Sequence, residues 1–244
     1  MKPFLLLASR AEDDAADDEY GAFLRFADLS PDQLHRIRME AGPTPPPDLD
    51  RYSGILVGGS PFNSSDDPST KSDVQRRVEA ELAALLDDVV ARDFPFLGAC
   101  YGIGTLGLHQ GGVVDQTYAE VVGAVPITLT AAGRNDPLLA GLSPQFNAFV
   151  GHKEACSVLP PGATLLGSSP SCPVQIFRVG RNMYATQFHP ELDLPGLLTR
   201  LAVYDRHGYY PPGEAETVLA EVRRSRVTEP PQILRNFVIR YARD

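Results

Sequence analysis

Cysteine is scarce in this chain: Cys100, Cys156 and Cys172 are the only three in 244 residues. Three scattered cysteines do not make a disulfide framework, and no CxxC pair or zinc-like Cys/His spacing is present. A reducing cytoplasm is the simplest compartment to expect. Positive charge is also short, with 22 Lys+Arg against 31 Asp+Glu and a formal net charge of -9. With no basic excess to neutralise phosphates, nucleic acid is not expected as a main partner. No apolar run approaches the roughly 18 residues of a membrane span, so no membrane association is expected. Met1 to Ala8 is apolar, but acids follow quickly, and the segment reads as a first buried strand rather than a signal peptide. Apolar residues make up 43%, enough to bury a real core and too many for disorder.

Short apolar runs alternate with helical patterns, the mark of a mostly parallel sheet with helices on both faces. Phe4 to Ala8, Leu34 to Met39, Gly54 to Gly59 and Phe94 to Ala99 read as its strands. Six acids between Glu12 and Glu19 read as a solvated helix start rather than a metal site. Val74, Val78, Leu82, Leu85, Leu86 and Val89 share one helical face, with Ser72 and Gln75 as a capping box. Val121 to Thr130, Gln145 to Val150, Val174 to Val179 and Met183 to Gln187 follow too closely for intervening helices, so part of the sheet should be antiparallel. Helices are expected after Asp193, after Pro211-Pro212 and after Pro230-Pro231. The expectation is a single α/β domain over 1-244, with a core over about 1-192 and a helical C-terminal extension over about 193-244.

Gly98-Ala99-Cys100-Tyr101-Gly102 has the form G-x-C-x-G at a strand-to-helix junction. It is the cysteine counterpart of a nucleophile elbow. A nucleophile on so tight a turn sits in strained backbone, and flanking glycines remove the clash. The helix N-terminus there is expected to lower the thiol pKa. A thiolate needs a base, and the base an orienting partner. His189, in Gln187-Phe188-His189-Pro190-Glu191, follows a strand, and Glu191 is placed to fix its tautomer. An acyl-transfer site also needs oxyanion donors. The N–H of Tyr101 and the Gly58-Gly59 turn are the candidates.

Together these three motifs, in this order, resemble the class I (triad-type) glutamine amidotransferases, and in particular free-standing members similar to the glutaminase domain of GMP synthase. The resemblance covers about residues 1 to 192. It implies the doubly wound, flavodoxin-like architecture of that family, with Cys100 as nucleophile, His189 as base and Glu191 as its orienter. It implies an oxyanion hole at Gly59 and Tyr101, and substrate contacts around Gly58, Gly104, Gly151, His152 and Lys153. No metal or organic cofactor is called for. The pattern departs from the family at Gly104, where glutamine is usual, at Gly151, where serine is usual, and at Glu154, where aspartate is usual.

The reading that follows is an amidase that hydrolyses a γ-carboxamide, glutamine to glutamate and ammonia, through a Cys100 thioester. A synthetase on a separate chain would then take the ammonia. The nearest alternative is a γ-glutamyl peptidase or hydrolase, for whose larger substrate Gly104 would leave room. A non-catalytic regulatory subunit on the same fold is a third reading, and a redox sensor with an activated elbow cysteine is a fourth, disfavoured by the His-Pro-Glu motif.

Overall fold

The structure is a computed structural model that describes residues 1–204, 208, 210 and 213–244. In chain order its first half comprises β1 (Phe4–Ala8), α1 (Asp13–Ala27), β2 (Leu34–Arg38), β3 (Ile55–Val57), α2 (Asp73–Ala91), β4 (Phe96–Ala99), α3 (Tyr101–His109), β5 (Val113–Asp115) and β6 (Glu120–Leu129). There follow α4 (Ala131–Arg134), β7 (Gln145–His152), β8 (Ala155–Val158), β9 (Thr164–Ser168), β10 (Ile176–Val179), β11 (Met183–Thr186), α5 (Leu194–Val203), α6 (Ala215–Arg224) and α7 (Pro231–Tyr241).

Nine strands form one sheet in the order β2-β1-β3-β4-β11-β10-β9-β6-β7. The first five are parallel. The remaining four are joined by antiparallel pairings, beginning with β10 against β11. β5 and β8 make a separate antiparallel ribbon. The central parallel strands β1, β3, β4 and β11 are buried on both faces. Alternate residues of β1 go to opposite cores: Phe4 and Leu6 pack with Phe23 and Phe237, whereas Leu5 and Leu7 pack with Val78 and Leu82. A strand apolar at every position is what two covered faces require. The architecture is the α/β, doubly wound, mostly parallel sheet expected, with an antiparallel flank.

Helix α2 begins where Ser72 accepts a hydrogen bond from the N–H of Gln75 at 3.1 Å. The reciprocal half of a capping box is absent, because the Gln75 side chain turns to the Asn63 carbonyl and Glu79. Val78, Leu82, Leu85, Leu86 and Val89 are buried as expected, but Val74 is 38% exposed, one turn too early to reach the sheet. β5, β8 and β9 lie outside the expected strands. Asp193 caps α5 by accepting from the N–H of Gly196 at 2.9 Å. Pro211 and Pro212, expected to precede a helix, lie outside the described residues. α7 packs on α1, with Phe237 against Phe4 at 5.9 Å between ring centroids.

The register decides where chemistry can collect. Val57 lies beside Gly98, and Ala99 beside Thr186. The carboxyl ends of β3, β4 and β11 are therefore level, and the residues just beyond them, Gly58, Cys100 and Gln187, emerge side by side. Such an edge is where open α/β sheets bind ligands.

Candidate active site

Cys100 occupies the turn from β4 into α3 with φ 53° and ψ -85°. A non-glycine residue there costs about 1–3 kcal/mol and persists only when its surroundings hold it. Two backbone bonds do so: Cys100 N–H to the Thr186 carbonyl, 2.7 Å, and Ile103 N–H to the Cys100 carbonyl, 2.9 Å. Gly98 is required because a Cβ on it would fall 2.6 Å from the Gly102 Cα. Cys156 and Cys172 are fully buried, while Cys100 keeps part of its surface exposed.

His189 and Cys100 line the same cleft. The His189 Nδ1 lies 2.8 Å from Glu191 Oε1, with the ring 6% exposed and Glu191 fully buried. Gly59 lies against the imidazole, so a Cβ there would fall 2.4 Å from the His189 Cε1. Among the described residues no hydrogen bond joins the Cys100 thiol to the imidazole.

Electrostatics reverse one expectation. Burial pushes the Cys100 thiol up to about 12, and Glu154 and Glu191 add to the rise, while Arg10 and Arg200 pull the other way. Desolvation, which disfavours a thiolate, is the largest influence on it. Burial also lowers the pKa of His189, and Arg200 adds to that, against an upward pull from Glu191. Burial alone would raise Glu191, but contacts with His189 and Arg200 outweigh it and hold this carboxyl well below the usual range. Both shifts favour the uncharged forms, thiol and imidazole.

Three charged residues join this site that the sequence reading does not place there: it passes over Arg10 and Arg200, and it reads Glu19 as part of a solvated acid run. Arg10 follows β1, Glu19 lies on α1 and Arg200 on α5, and all three are buried. Glu19 Oε1 accepts from Arg10 Nε at 3.0 Å and from the Gly59 N–H at 3.2 Å, with Arg200 at 3.5 Å. The Gly59 donor expected for an oxyanion hole is therefore bonded to Glu19 here. Gly58 makes room for that carboxylate, since a Cβ on it would fall 2.5 Å from Glu19 Oε2. The acid run at the start of α1 is thus only partly solvated: Asp13 and Asp17 pair with Arg38 and Arg36, but Glu19 turns inward. A signal was there to find. Glu19 falls on the buried stripe of Ala15, Ala16, Ala22 and Phe23, and Arg200 on that of Gly196, Leu197 and Leu201. A charge on an apolar stripe marks a buried partner.

A second, more polar cleft meets Cys100 from the other side, lined by Asn63, Gly151, His152, Lys153, Glu154 and Gln187 among others. The His152 Nδ1 donates to the Glu154 carbonyl at 2.9 Å, and its Nε2 lies 2.7 Å from Glu120 Oε2. Both ring nitrogens are thus engaged with protein. Gly151 leaves room for Val122, which a Cβ would meet at 2.6 Å. Gly104 opens no space for a larger substrate. A Cβ there would fall 2.8 Å from Ser64 Oγ and 2.9 Å from Glu154 Oε1. The Glu154 carboxylate fills that position, held by the N–H groups of Ser64 and Ser65, each at 2.7 Å. Glu154 thus occupies room that a side chain at 104 would need.

A cysteine on a strained strand-to-helix turn and a His–Glu pair thus meet at one edge of a doubly wound sheet, and comparison with known proteins gives the lineage of the chain. The chain belongs to the class-I glutamine amidotransferase family, whose model, Glutamine amidotransferase class-I, matches residues 35–196. It is 29% identical over 171 residues to the glutamine amidotransferase-like protein YfeJ of Salmonella typhimurium, covering 70% of each chain. It is 29% identical over 148 residues to the glutamine-hydrolyzing GMP synthase of Porphyromonas gingivalis, a match spanning 60% of this chain and 26% of that protein. A glutamine amidotransferase structure from Thermotoga maritima shares the fold with a TM-score of 0.76, at 18% identity over 99% of both chains. One from Methylobacillus flagellatus gives 0.74 at 19% identity, over 100% of this chain and 97% of the other. Among the described residues no helix is long and apolar enough to cross a membrane.

Proposed function

We propose that the protein is a cysteine-dependent amidase that releases ammonia from a γ-carboxamide, with Cys100 as nucleophile, His189 as base and Glu191 as its orienter. The observation that carries this reading is the positive-φ elbow at Cys100 facing one cleft with the His189–Glu191 pair. With the thiol and imidazole neutral and Nδ1 protonated toward Glu191, proton transfer from Cys100 to Nε2 of His189 accompanies attack on the amide carbon. The resulting imidazolium protonates the leaving nitrogen, and ammonia departs. His189 then activates water against the γ-glutamyl thioester. The N–H of Tyr101 at the start of α3 is the first oxyanion donor, and that of Gly59 joins it when Glu19 gives it up.

The glutamyl end fits the polar cleft at Gly151 and Lys153, where the Gln187 Oε1 has no partner among the described residues. A second reading has one observation in its favour. The cleft on the His189 side is walled by Val122, Val150, Leu192, Leu197 and Leu201, which suits an amide whose leaving amine carries an apolar group. The likeness to GMP synthases supports an ammonia acceptor on a partner synthetase. The whole chain acts as one functional unit, since Arg200 on α5 reaches His189.

The test is ammonia and glutamate release over glutamine and a set of γ-glutamyl amides, with Cys100→Ala as control. Turnover lost in the control supports the amidase, and the preferred amine separates the two readings. Turnover that survives Cys100→Ala refutes the nucleophile.

A further inference from the structure

Nδ1 of His189 has two close partners and one position in the ring plane to offer them. Glu191 Oε1, which only accepts, is 2.8 Å away. Arg200 Nη1, which only donates, is 2.9 Å away. The second arm of Arg200 donates to the same Glu191 oxygen at 2.8 Å and reaches Glu19 at 3.5 Å. A protonated Nδ1 satisfies Glu191 and opposes Arg200. An unprotonated Nδ1 satisfies Arg200 and opposes Glu191. Only the first leaves Nε2 with a lone pair to take the thiol proton.

We propose that Arg200 is a positioning residue that contests Nδ1 with Glu191 and holds the resting His189 in the Nε2–H tautomer. This inference rests on the assignment of His189 as base. For His189 to take the thiol proton, Nε2 must give its own proton to water and Nδ1 must take one from water, an exchange that needs the guanidinium to leave Nδ1. The charged groups facing the imidazole come from four directions: Glu191 after β11, Arg200 on α5, Arg10 after β1 with Glu19 on α1, and Cys100 at the elbow. Of these, Arg200 alone puts a donor on Nδ1. Its donor lies 2.9 Å from Nδ1, so it opposes protonation of the ring by the thiol. Arg10, Glu19 and Arg200 all lie outside the segment 35–196 that matches the family model, so this control is set by residues outside that segment.

The first test is nitrogen NMR of the unmodified protein labelled at histidine, with His189→Asn to assign the signal. The expected result is a proton on Nε2 and none on Nδ1. A proton on Nδ1 in the resting protein overturns the inference, whatever the variants do. The second test is the rate of Cys100 alkylation by iodoacetamide at pH 7 in Arg200→Met and Arg200→Lys. Arg200→Met should react faster, by about tenfold for each pK unit of basicity the imidazole gains, with Arg200→Lys in between. A folded Arg200→Met that reacts no faster overturns the inference alone, provided His189→Asn slows the unmodified thiol. If His189→Asn leaves the thiol unchanged, the base assignment falls and this inference with it. If Arg200→Met does not fold, the NMR result decides.

Discussion

Replacing Gly104 by glutamine, the residue usual in the family, should harm this protein unless Glu154 is shortened at the same time. The new Cβ would arrive 2.8 Å from Ser64 Oγ and 2.9 Å from Glu154 Oε1. Neither neighbour yields freely. The Glu154 carboxylate is clamped by two backbone N–H groups at 2.7 Å, and each hydrogen bond to a charged group contributes about 1.5–3 kcal/mol. Overpacking of this kind costs about 1–3 kcal/mol. Loss of a helical glycine returns about 0.5 kcal/mol. The net loss for Gly104→Gln is then about 0.5–2.5 kcal/mol, or about 1–10 °C in Tm for a chain of this size. Glu154→Asp withdraws the carboxylate by one methylene, so Gly104→Gln should be nearly neutral in that background. Urea unfolding of the four proteins reads the cycle, and the expected coupling is the same about 0.5–2.5 kcal/mol. Ammonia release from glutamine should also rise in the double variant relative to Glu154→Asp alone, by up to about tenfold for one regained hydrogen bond. Additivity within about 0.5 kcal/mol would refute the coupling.

Limiting iodoacetamide followed by mass mapping should label Cys100 and spare the fully buried Cys156 and Cys172. The rate should keep climbing with pH beyond 9.0, the ordinary thiol value, because burial raises this one. Preferential labelling of either buried cysteine would contradict the site. Gly59→Ala should lower kcat/KM by about 10² or more, since its Cβ would displace the His189 ring and misplacement of about 1 Å has that effect. Normal kinetics in a folded Gly59→Ala would show that His189 is not the base. Stability should decline on acidification in two stages. His189 and Glu191 both have folded-state pKa values below their ordinary 6.5 and 4.5. The unfolded chain therefore binds the extra protons, and stability is lost first below about pH 6.5 and again below about pH 4.5. Urea midpoints across pH 3–8 check this, and in Glu191→Gln the lower stage should shrink.

The sequence by itself determined the alternation of buried strands and helices, the elbow at Cys100 and the pairing of His189 with Glu191. Those are local matters. Strand burial shows in Phe4 to Ala8 as an unbroken apolar run, the elbow shows as glycines two residues either side of a cysteine, and the His–Glu contact spans two residues. Tertiary structure alone decided what surrounds them. Arg10, Glu19 and Arg200 are separated by up to 190 residues and meet only because β1 lies beside β3 while α1 and α5 pack together at the same sheet edge. The thiol pKa went the opposite way to expectation for the same reason: the helix N-terminus is a local effect, but desolvation is set by everything packed over the sulfur. Gly104 and Glu154 read as two separate departures 50 positions apart. What links them is that a Cβ on Gly104 would fall 2.9 Å from Glu154 Oε1, which no periodicity encodes.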